Sequence, residues 1–355
     1  MTTPGDPTVD DERLESMYRR FTWRILSNSV SPWEFEKLKA EITDYEQWCL
    51  KWSLLAAEHE ARGDRALLAG HSITAGEAYV RAGLIYHWAT FMFTHDQPQF
   101  KAGLKAMGAV WAKAAPLLQP TMEILEVPFD GTTLNGYLQK PLGVDNPPIV
   151  LMVPGADSTK EELYDLAQHI LRRGMAIAAF DGPGQGEVSL TMKMRPDYEK
   201  AIVAMIDSLV KRSDIDRDRL AICGISYGGL FSFRAAAIDK RIKALVSVSS
   251  WYSPAGRFSG MERLTSTGQY QYLGADPAAM MESITLSGVL KDVRVPVLQV
   301  FGGLDPWSPA TKAELIAEEI QGPSTTMLFE DGVHIVNNIW YKARPAIADW
   351  LSSAF

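Results

Sequence analysis

Cysteine is nearly missing from this chain: Cys49 and Cys223 are the only two in 355 residues. A disulfide framework is therefore not expected, and a reducing, cytoplasmic setting fits. Histidine is sparse as well. The six imidazoles are scattered and the two cysteines are far apart, so no metal-ligand spacing emerges, and neither a metal nor a redox cofactor is expected. No apolar run approaches the roughly 18 residues that a membrane helix requires. Met1 to Glu15 is polar and acidic, without a basic n-region or an apolar h-region, which speaks against a conventional secretory signal. An excess of positive charge is absent too, and a net charge of −8 argues against nucleic acid and anionic membranes as partners. What is present is a 46% hydrophobic fraction, enough for a large core. The length suggests about two domains.

The pattern changes near residue 120. Residues 12 to 118 carry helical period and no strand signal, with Trp23, Trp33, Trp48, Trp52, Tyr79, Tyr86, Trp88, Phe91 and Phe93 expected on buried faces. Thr74-Ala75-Gly76-Glu77 has the form of a capping box opening a helix to about Phe93. From Met122 strands begin: Glu123 to Phe129, a turn at Asp130-Gly131, then Leu134 to Leu138, an opening hairpin. Strands and helices then alternate to Phe355. The expected domains are 1–120, all helical, and 121–355, built on a mostly parallel sheet.

Within the second domain Gly224-Ile225-Ser226-Tyr227-Gly228 joins a buried strand, Leu220 to Cys223, to a helix from Leu230 to Ala237. A G-x-S-x-G at a strand-to-helix turn has the form of a nucleophile elbow, in which the serine backbone is strained and the glycines leave room for close neighbours. The order that goes with it is Ser, then an acid, then His. Val295 to Phe301 is an apolar run of the parallel-strand type that ends in Gly302-Gly303-Leu304-Asp305-Pro306-Trp307. A helical segment (Pro309 to Ile320), a strand (Thr325 to Phe329) and the loop Glu330 to His334 follow. Ser226, Asp305 and His334 thus fall at strand C-termini, where open α/β sheets place their sites. Asp292 precedes its strand and sits at the wrong edge; Asp331 lies only three residues before His334. His59, His71, His87, His95 and His169 match no such position. The arrangement is that of the α/β-hydrolase fold, a mostly parallel eight-stranded sheet, acting by acyl transfer on a small-molecule carbonyl compound with no cofactor.

Two backbone N–H groups are the expected oxyanion donors. One is that of Tyr227, after the nucleophile; the other is that of Ala156, in the loop Pro154 to Thr159 after the strand Pro148 to Val153. Asp157 either caps a helix running from Thr159 to Arg173 or faces substrate. Asp181-Gly182-Pro183-Gly184-Gln185-Gly186-Glu187 follows the strand Met175 to Phe180. It lacks the G-x-G-x-x-G spacing of a dinucleotide loop and fits a tight loop at the active-site edge. After the strand Ala244 to Ser249, residues 251–290 form the place for a lid insertion. Its aromatics, Trp251, Tyr252, Phe258, Tyr270 and Tyr272, suit an apolar or aromatic substrate or mere packing.

Several of these segments occur together: a helical N-terminal domain, Ala75-Gly76-Glu77-Ala78-Tyr79 followed by Tyr86-His87, Pro154-Gly155-Ala156-Asp157-Ser158-Thr159-Lys160-Glu161-Glu162, Asp181 to Gly186, and Gly224 to Gly229. In combination the chain resembles the 2,6-dihydroxypseudooxynicotine hydrolase-like family, related in turn to fungal polyketide-shortening hydrolases. The resemblance spans about residues 15 to 350. It implies that the helical domain caps the active site, that the protein is a homodimer, and that it cleaves carbon–carbon bonds next to a ketone as well as esters. It also implies that an acid shortly after the sixth strand assists C–C cleavage. The matching stretch here, Trp251 to Gly256, has none, and Glu262 is the first downstream. Three readings follow: a C–C hydrolase of a β-diketone, aryl ketone or polyketide-like substrate; a carboxylesterase or thioesterase with the same triad; and a non-catalytic hydrolase scaffold. A prolyl-oligopeptidase-type peptidase would be expected to carry a β-propeller where this chain has helices.

Overall fold

The computed structural model describes residues 7–255, 273 and 276–355. The chain divides into two compact units, Met1–Leu118 and Gln119–Phe355. The first holds helices α1 (Pro7–Ser27), α2 (Pro32–Glu41), α3 (Trp48–Leu68), α4 (Ser72–Thr90) and α5 (Gln97–Ala114). Its core is aromatic, with Phe35, Tyr45, Trp48, Trp52, Trp88, Phe93 and Trp111 fully buried. Two of the polar atoms brought inside find backbone partners: Trp48 Nε1 donates to the Trp88 carbonyl at 2.8 Å and the Tyr45 hydroxyl to that of Met92 at 2.8 Å.

Two expectations for this unit are corrected. Trp23 and Trp33 are 56% and 78% exposed, because a tryptophan at helical spacing marks a face without saying which side is covered. The helix expected to open at Thr74 begins at Ser72. His71 stands at its N-cap, where its carbonyl accepts the Ala75 N–H at 3.0 Å, so the Thr74 side chain caps nothing. In contrast, Trp48, Trp52, Tyr79, Tyr86, Trp88, Phe91 and Phe93 are buried as expected.

The second unit is built on one eight-stranded sheet: β1 (Met122–Phe129), β2 (Thr132–Gln139), β3 (Pro148–Val153), β4 (Ala176–Phe180), β5 (Asp216–Ile225), β6 (Ile242–Val248), β7 (Val297–Gly302) and β8 (Ser324–Phe329). The order is β1-β2-β4-β3-β5-β6-β7-β8. Asp130 and Gly131 both have positive φ, 43° and 80°, and close the β1–β2 hairpin. β2 runs antiparallel to β1 and β4, and from β4 to β8 every pairing is parallel.

Strands β3, β4 and β7 are buried at every position, as expected of parallel strands covered on both faces. On one face Val150, Met152, Cys223, Val246 and Val300 pack against α6 (Tyr164–Leu171) and the C-terminal α11 (Trp340–Ser353). Among the described residues the remaining α-helices are α7 (Glu199–Leu209), α8 (Tyr227–Ile238), α9 (Pro277–Glu282) and α10 (Lys312–Glu319). Cys49 and Cys223 are free and buried, and burial alone pushes the Cys223 thiol up to about 12. Of the segment expected as a lid, Phe258, Glu262, Tyr270 and Tyr272 lie outside the described residues.

Candidate active site

Ser226 links β5 to α8 with φ 54° and ψ −117°, a conformation that a non-glycine residue adopts only under constraint. The constraint is visible. Its N–H donates to the Val248 carbonyl at the end of β6 at 2.7 Å. A Cβ on Gly228 would fall 2.2 Å from the Val153 carbonyl oxygen, and one on Gly224 2.3 Å from that of Gly228. The glycines of the motif are therefore demanded by the approach of β3 and of the helix to the turn. α8 starts at Tyr227, one residue after the serine, which puts the Tyr227 N–H in the first turn, where N–H groups have no intrahelical carbonyl.

The acid and the imidazole arrive from β7 and β8. Two hydrogen bonds tie the loops after these strands together, Gly303 N–H to the Phe329 carbonyl and Leu304 N–H to that of Gly332, both at 2.8 Å, and a third, Asp305 N–H to the Gly302 carbonyl at 3.2 Å, closes the turn after β7. The backbone at Ile335 and Val336, with φ 53° and 52°, turns sharply after His334, and the Ile335 N–H donates to Ser249 Oγ at 2.9 Å. The result is a hydrogen-bonded chain: Asp305 Oδ2 to His334 Nδ1 at 2.7 Å, and His334 Nε2 to Ser226 Oγ at 3.1 Å. With Nδ1 protonated toward the carboxylate, Nε2 turns its lone pair to the serine. Asp305 Oδ1 also accepts the N–H groups of Trp307 and Ser308 at 2.9 and 3.1 Å. Burial works to raise the Asp305 pKa, but the bond to and charge of His334, with these two N–H groups, outweigh it and hold the carboxyl below its ordinary value. The indole of Trp307 lies edge-on to the imidazole at 4.9 Å, a neighbour that the sequence reading did not single out.

The loop after β3 lies beside the serine, since a Cβ on Gly155 would be 3.5 Å from Ser226 Cβ. Ala156, buried, follows it in a turn closed by the Ser158 N–H on the Gly155 carbonyl at 3.2 Å. Asp157 does not cap the next helix. A 3-10 turn, Lys160–Leu163, comes first, with Thr159 at its N-cap and no side-chain cap of its own. The Lys160 N–H is taken instead by Asp181 Oδ1 at 2.8 Å, from the loop after β4. Trp251 packs on the Tyr227 ring at 5.8 Å. Tyr252 turns its hydroxyl to Glu319 at 2.6 Å. Asp292 stays in a 3-10 turn ahead of β7, and Asp331 is exposed.

What sequence reasoning missed is a second polar assembly under the same loops. Lys160 Nζ lies 2.7 Å from both Glu161 Oε1 and Asp181 Oδ2, with all three side chains at most 3% exposed. The Tyr137 hydroxyl donates to Glu161 Oε1 at 2.8 Å. Burial, with the Glu161 charge adding, pushes Asp181 up to about 6. Gln185 bridges the two loops, its Nε2 donating to the carbonyls of Pro154 and Gly155 at 3.0 and 2.6 Å. Its position at the C-terminal end of β4 was the available signal. Among the described residues no three His, Cys, Asp or Glu side chains lie close enough to share a metal ion.

Sheet order, strained serine and strand-end loops define an α/β-hydrolase. The FrsA-like esterase family model matches residues 24–253 and that of the prolyl oligopeptidase family residues 163–351, and the chain belongs to the FrsA-like family, in the group of 2,6-dihydroxypseudooxynicotine hydrolase-like enzymes. It is 31% identical to 2,6-dihydropseudooxynicotine hydrolase of Paenarthrobacter nicotinovorans over 86% of this chain and 83% of that protein. The crystal structure of 2,6-dihydroxy-pseudo-oxynicotine hydrolase superimposes with a TM-score of 0.82 at 29% identity, covering 94% of this chain and 95% of that one. The α/β hydrolase pydG of Acremonium sp is 34% identical over 61% of this chain; this chain spans about half, 54%, of that relative. The structure of AbyA5, at 19% identity and a TM-score of 0.69 over 96% of this chain and 98% of that one, shares the fold. The protein is thus an enzyme, a hydrolase, and the reading of a non-catalytic scaffold falls. Among the described residues no helix is long and apolar enough to cross a membrane.

Proposed function

We propose that this enzyme is a serine hydrolase that cleaves a carbon–carbon bond next to a ketone, in a β-diketone, aryl ketone or polyketide-like substrate. The observation that carries the reading is the hydrogen-bonded chain from Ser226 Oγ through His334 to Asp305, at 3.1 and 2.7 Å, in a protein similar to a named pseudooxynicotine hydrolase. His334 Nε2 takes the Ser226 proton as Oγ attacks the carbonyl, and Asp305 stabilises the imidazolium. The N–H groups of Tyr227 and Ala156 receive the oxyanion. When the tetrahedral intermediate collapses, the C–C bond breaks, its electron pair leaves as an enolate, and the imidazolium returns the proton to give a ketone. Water activated by His334 then hydrolyses the acyl-Ser226 ester to an acid, which restores the free serine. Trp251, packed on the Tyr227 ring, and Asp157, half-buried beside Gly155, are read as side chains that face the substrate.

A second reading, carboxylester or thioester hydrolysis, is favoured by one observation: the stretch from Trp251 to Gly256 has no acid to protonate a carbon leaving group. An alkoxide or thiolate needs less help. The test is turnover of an aromatic β-diketone and of an aryl ester of similar size by wild type and Ser226→Ala, with products identified by mass. Release of a methyl ketone and an acid, lost in the variant, is the expected result. Ester cleavage alone supports the second reading. Equal diketone turnover by wild type and Ser226→Ala would sink both.

A further inference from the structure

We infer that Gln185 is a positioning residue that aims the Ala156 N–H at the oxyanion, by holding the carbonyl on the other side of the same peptide. The inference rests on the reading of Ala156 as an oxyanion donor. Gln185 Nε2 donates to the Gly155 carbonyl at 2.6 Å and to that of Pro154 at 3.0 Å. The Gly155 carbonyl and the Ala156 N–H belong to one planar trans peptide, in which C=O and N–H point to opposite sides. Fixing the oxygen on Gln185 therefore fixes the N–H on the side away from it. Polarising that carbonyl also makes the N–H across the peptide a better donor.

Gln185 is itself held. Its Oε1 accepts the Gly182 N–H at 2.9 Å and the buried Tyr198 hydroxyl at 2.5 Å. This leaves the amide NH2 no orientation but toward the loop after β3. Farther along, that same loop is held a second time, by Lys160 N–H and Nζ on Asp181. The loop after β4 thus grips the segment 154–160 at both ends, with Ala156 between them. The Gly155 carbonyl also accepts the Ser158 N–H at 3.2 Å, but the Gln185 bond is the shorter of the two and the one that comes from outside the turn. Without it the 155–156 peptide keeps only that longer local bond, and an N–H turned away is lost to the transition state. The two signature runs of the sequence, P-G-A-D-S-T-K and D-G-P-G-Q-G, are on this account the donor loop and its frame.

The test uses the full chain and three variants: Gln185→Met, which keeps length and volume without donor or acceptor; Tyr198→Phe, which removes only the hydroxyl and keeps the ring stacked on Phe231 at 4.6 Å; and Ser226→Ala. The probes are an aryl trifluoromethyl ketone, which adds Ser226 Oγ across its carbonyl to give a hemiketal oxyanion, and the matching trifluoromethyl alcohol, which fits the same pocket and cannot be attacked. Gln185→Met is expected to lower kcat and hemiketal affinity in parallel by ~10–100-fold, with KM and alcohol affinity within about threefold. Tyr198→Phe should do the same by ~3–10-fold. Unchanged kcat and hemiketal affinity in Gln185→Met would overturn the inference, as would equal losses for ketone and alcohol, which mark a merely structural role. If Gln185→Met does not fold, Tyr198→Phe decides alone, and an unchanged hemiketal affinity overturns the inference. Activity surviving in Ser226→Ala would instead unseat the underlying reading of the site.

Discussion

The second unit holds two polar assemblies, each built on loops after strands of the one sheet, and their fates differ. In one, Asp305 is hidden and His334 is 14% exposed on the side chain, next to Ser226. In the other, Lys160, Glu161 and Asp181 are sealed to 3% or less. Burial acts on both, but with different outcomes: Asp181 is raised, whereas Asp305 is lowered by its partners. A search by perturbed titration alone would therefore rank the wrong one first. Access and charge count separate them. The open assembly has a single carboxylate, satisfied by two backbone N–H groups, and an imidazole whose second nitrogen meets a serine hydroxyl. The sealed one has one cation for two carboxylates, all three at most 3% exposed.

The sharpest way to break this comparison is to remove the base from the open assembly. His334→Gln leaves an amide of similar reach but no proton acceptor for Ser226, and turnover should fall ~10⁴–10⁶-fold with the melting temperature nearly unchanged. Steady-state kinetics beside a thermal melt checks this; activity within tenfold of wild type would remove His334 from the mechanism. In the sealed assembly the effect should land on stability. Lys160→Met leaves two carboxylates without their cation and is expected to cost about 3–5 kcal/mol in urea unfolding. The folded fraction should stay within about tenfold of wild-type activity, because the backbone bond of residue 160 to Asp181 survives. A large activity loss at unchanged stability would mean that the two assemblies are not separable.

The open assembly was legible in the chain and the sealed one was not, for a physical reason. Ser226, Asp305 and His334 each follow a strand whose local pattern is readable, buried before Ser226 and Asp305 and more polar before His334, and strand ends carry all three to one edge. Lys160-Glu161-Glu162 has the look of a solvated helix start. It becomes interior only because Asp181 and Tyr137 reach it from other strands, which no local pattern records. The same holds for the start of the next helical segment: the sequence offered Asp157 either as its cap or as a substrate-facing group, and the N–H of Lys160 is taken by Asp181, 21 residues further on. Trp33 failed in the opposite direction. It reads as core by composition and is 78% exposed.

A smaller effect follows from the sealed cluster's charge imbalance. The folded Asp181 pKa, about 6, lies above the ordinary 3.8, so between these values the folded state keeps a proton that the unfolded chain has lost. This group's contribution to stability is thus fully present at the acid end, is lost as pH rises to about 6, and is flat above. Asp181→Asn has no such proton. The stability of wild type minus that of Asp181→Asn should decline across this window by on the order of 2–3 kcal/mol, read by unfolding at a series of pH values. A difference that rises instead with pH would mean that Lys160 dominates and Asp181 is an ordinary salt-bridged carboxylate.

The smallest effect tests whether a polar partner by itself takes a residue out of a site. Tyr252 was expected to face substrate, yet its hydroxyl is held by Glu319 Oε1 at 2.6 Å, and that bond raises the phenol above its ordinary value. Its carbonyl accepts the Leu286 N–H at 2.9 Å, so backbone and side chain both anchor the strand-end segment. The residue is only partly buried, and deleting one such bond should cost about 0.5–1.5 kcal/mol. If anchoring is its whole role, Tyr252→Phe melts slightly earlier and keeps kcat and KM within about twofold. Trp251 is the natural contrast, one residue away and packed on the ring of Tyr227, whose N–H is the proposed donor. Trp251→Ala should raise KM for an aromatic substrate while Tyr252→Phe does not. Equal KM changes in both variants would return Tyr252 to the pocket and show that a filled hydrogen bond does not exclude a side chain from substrate contact, since the ring face stays available when the hydroxyl is engaged.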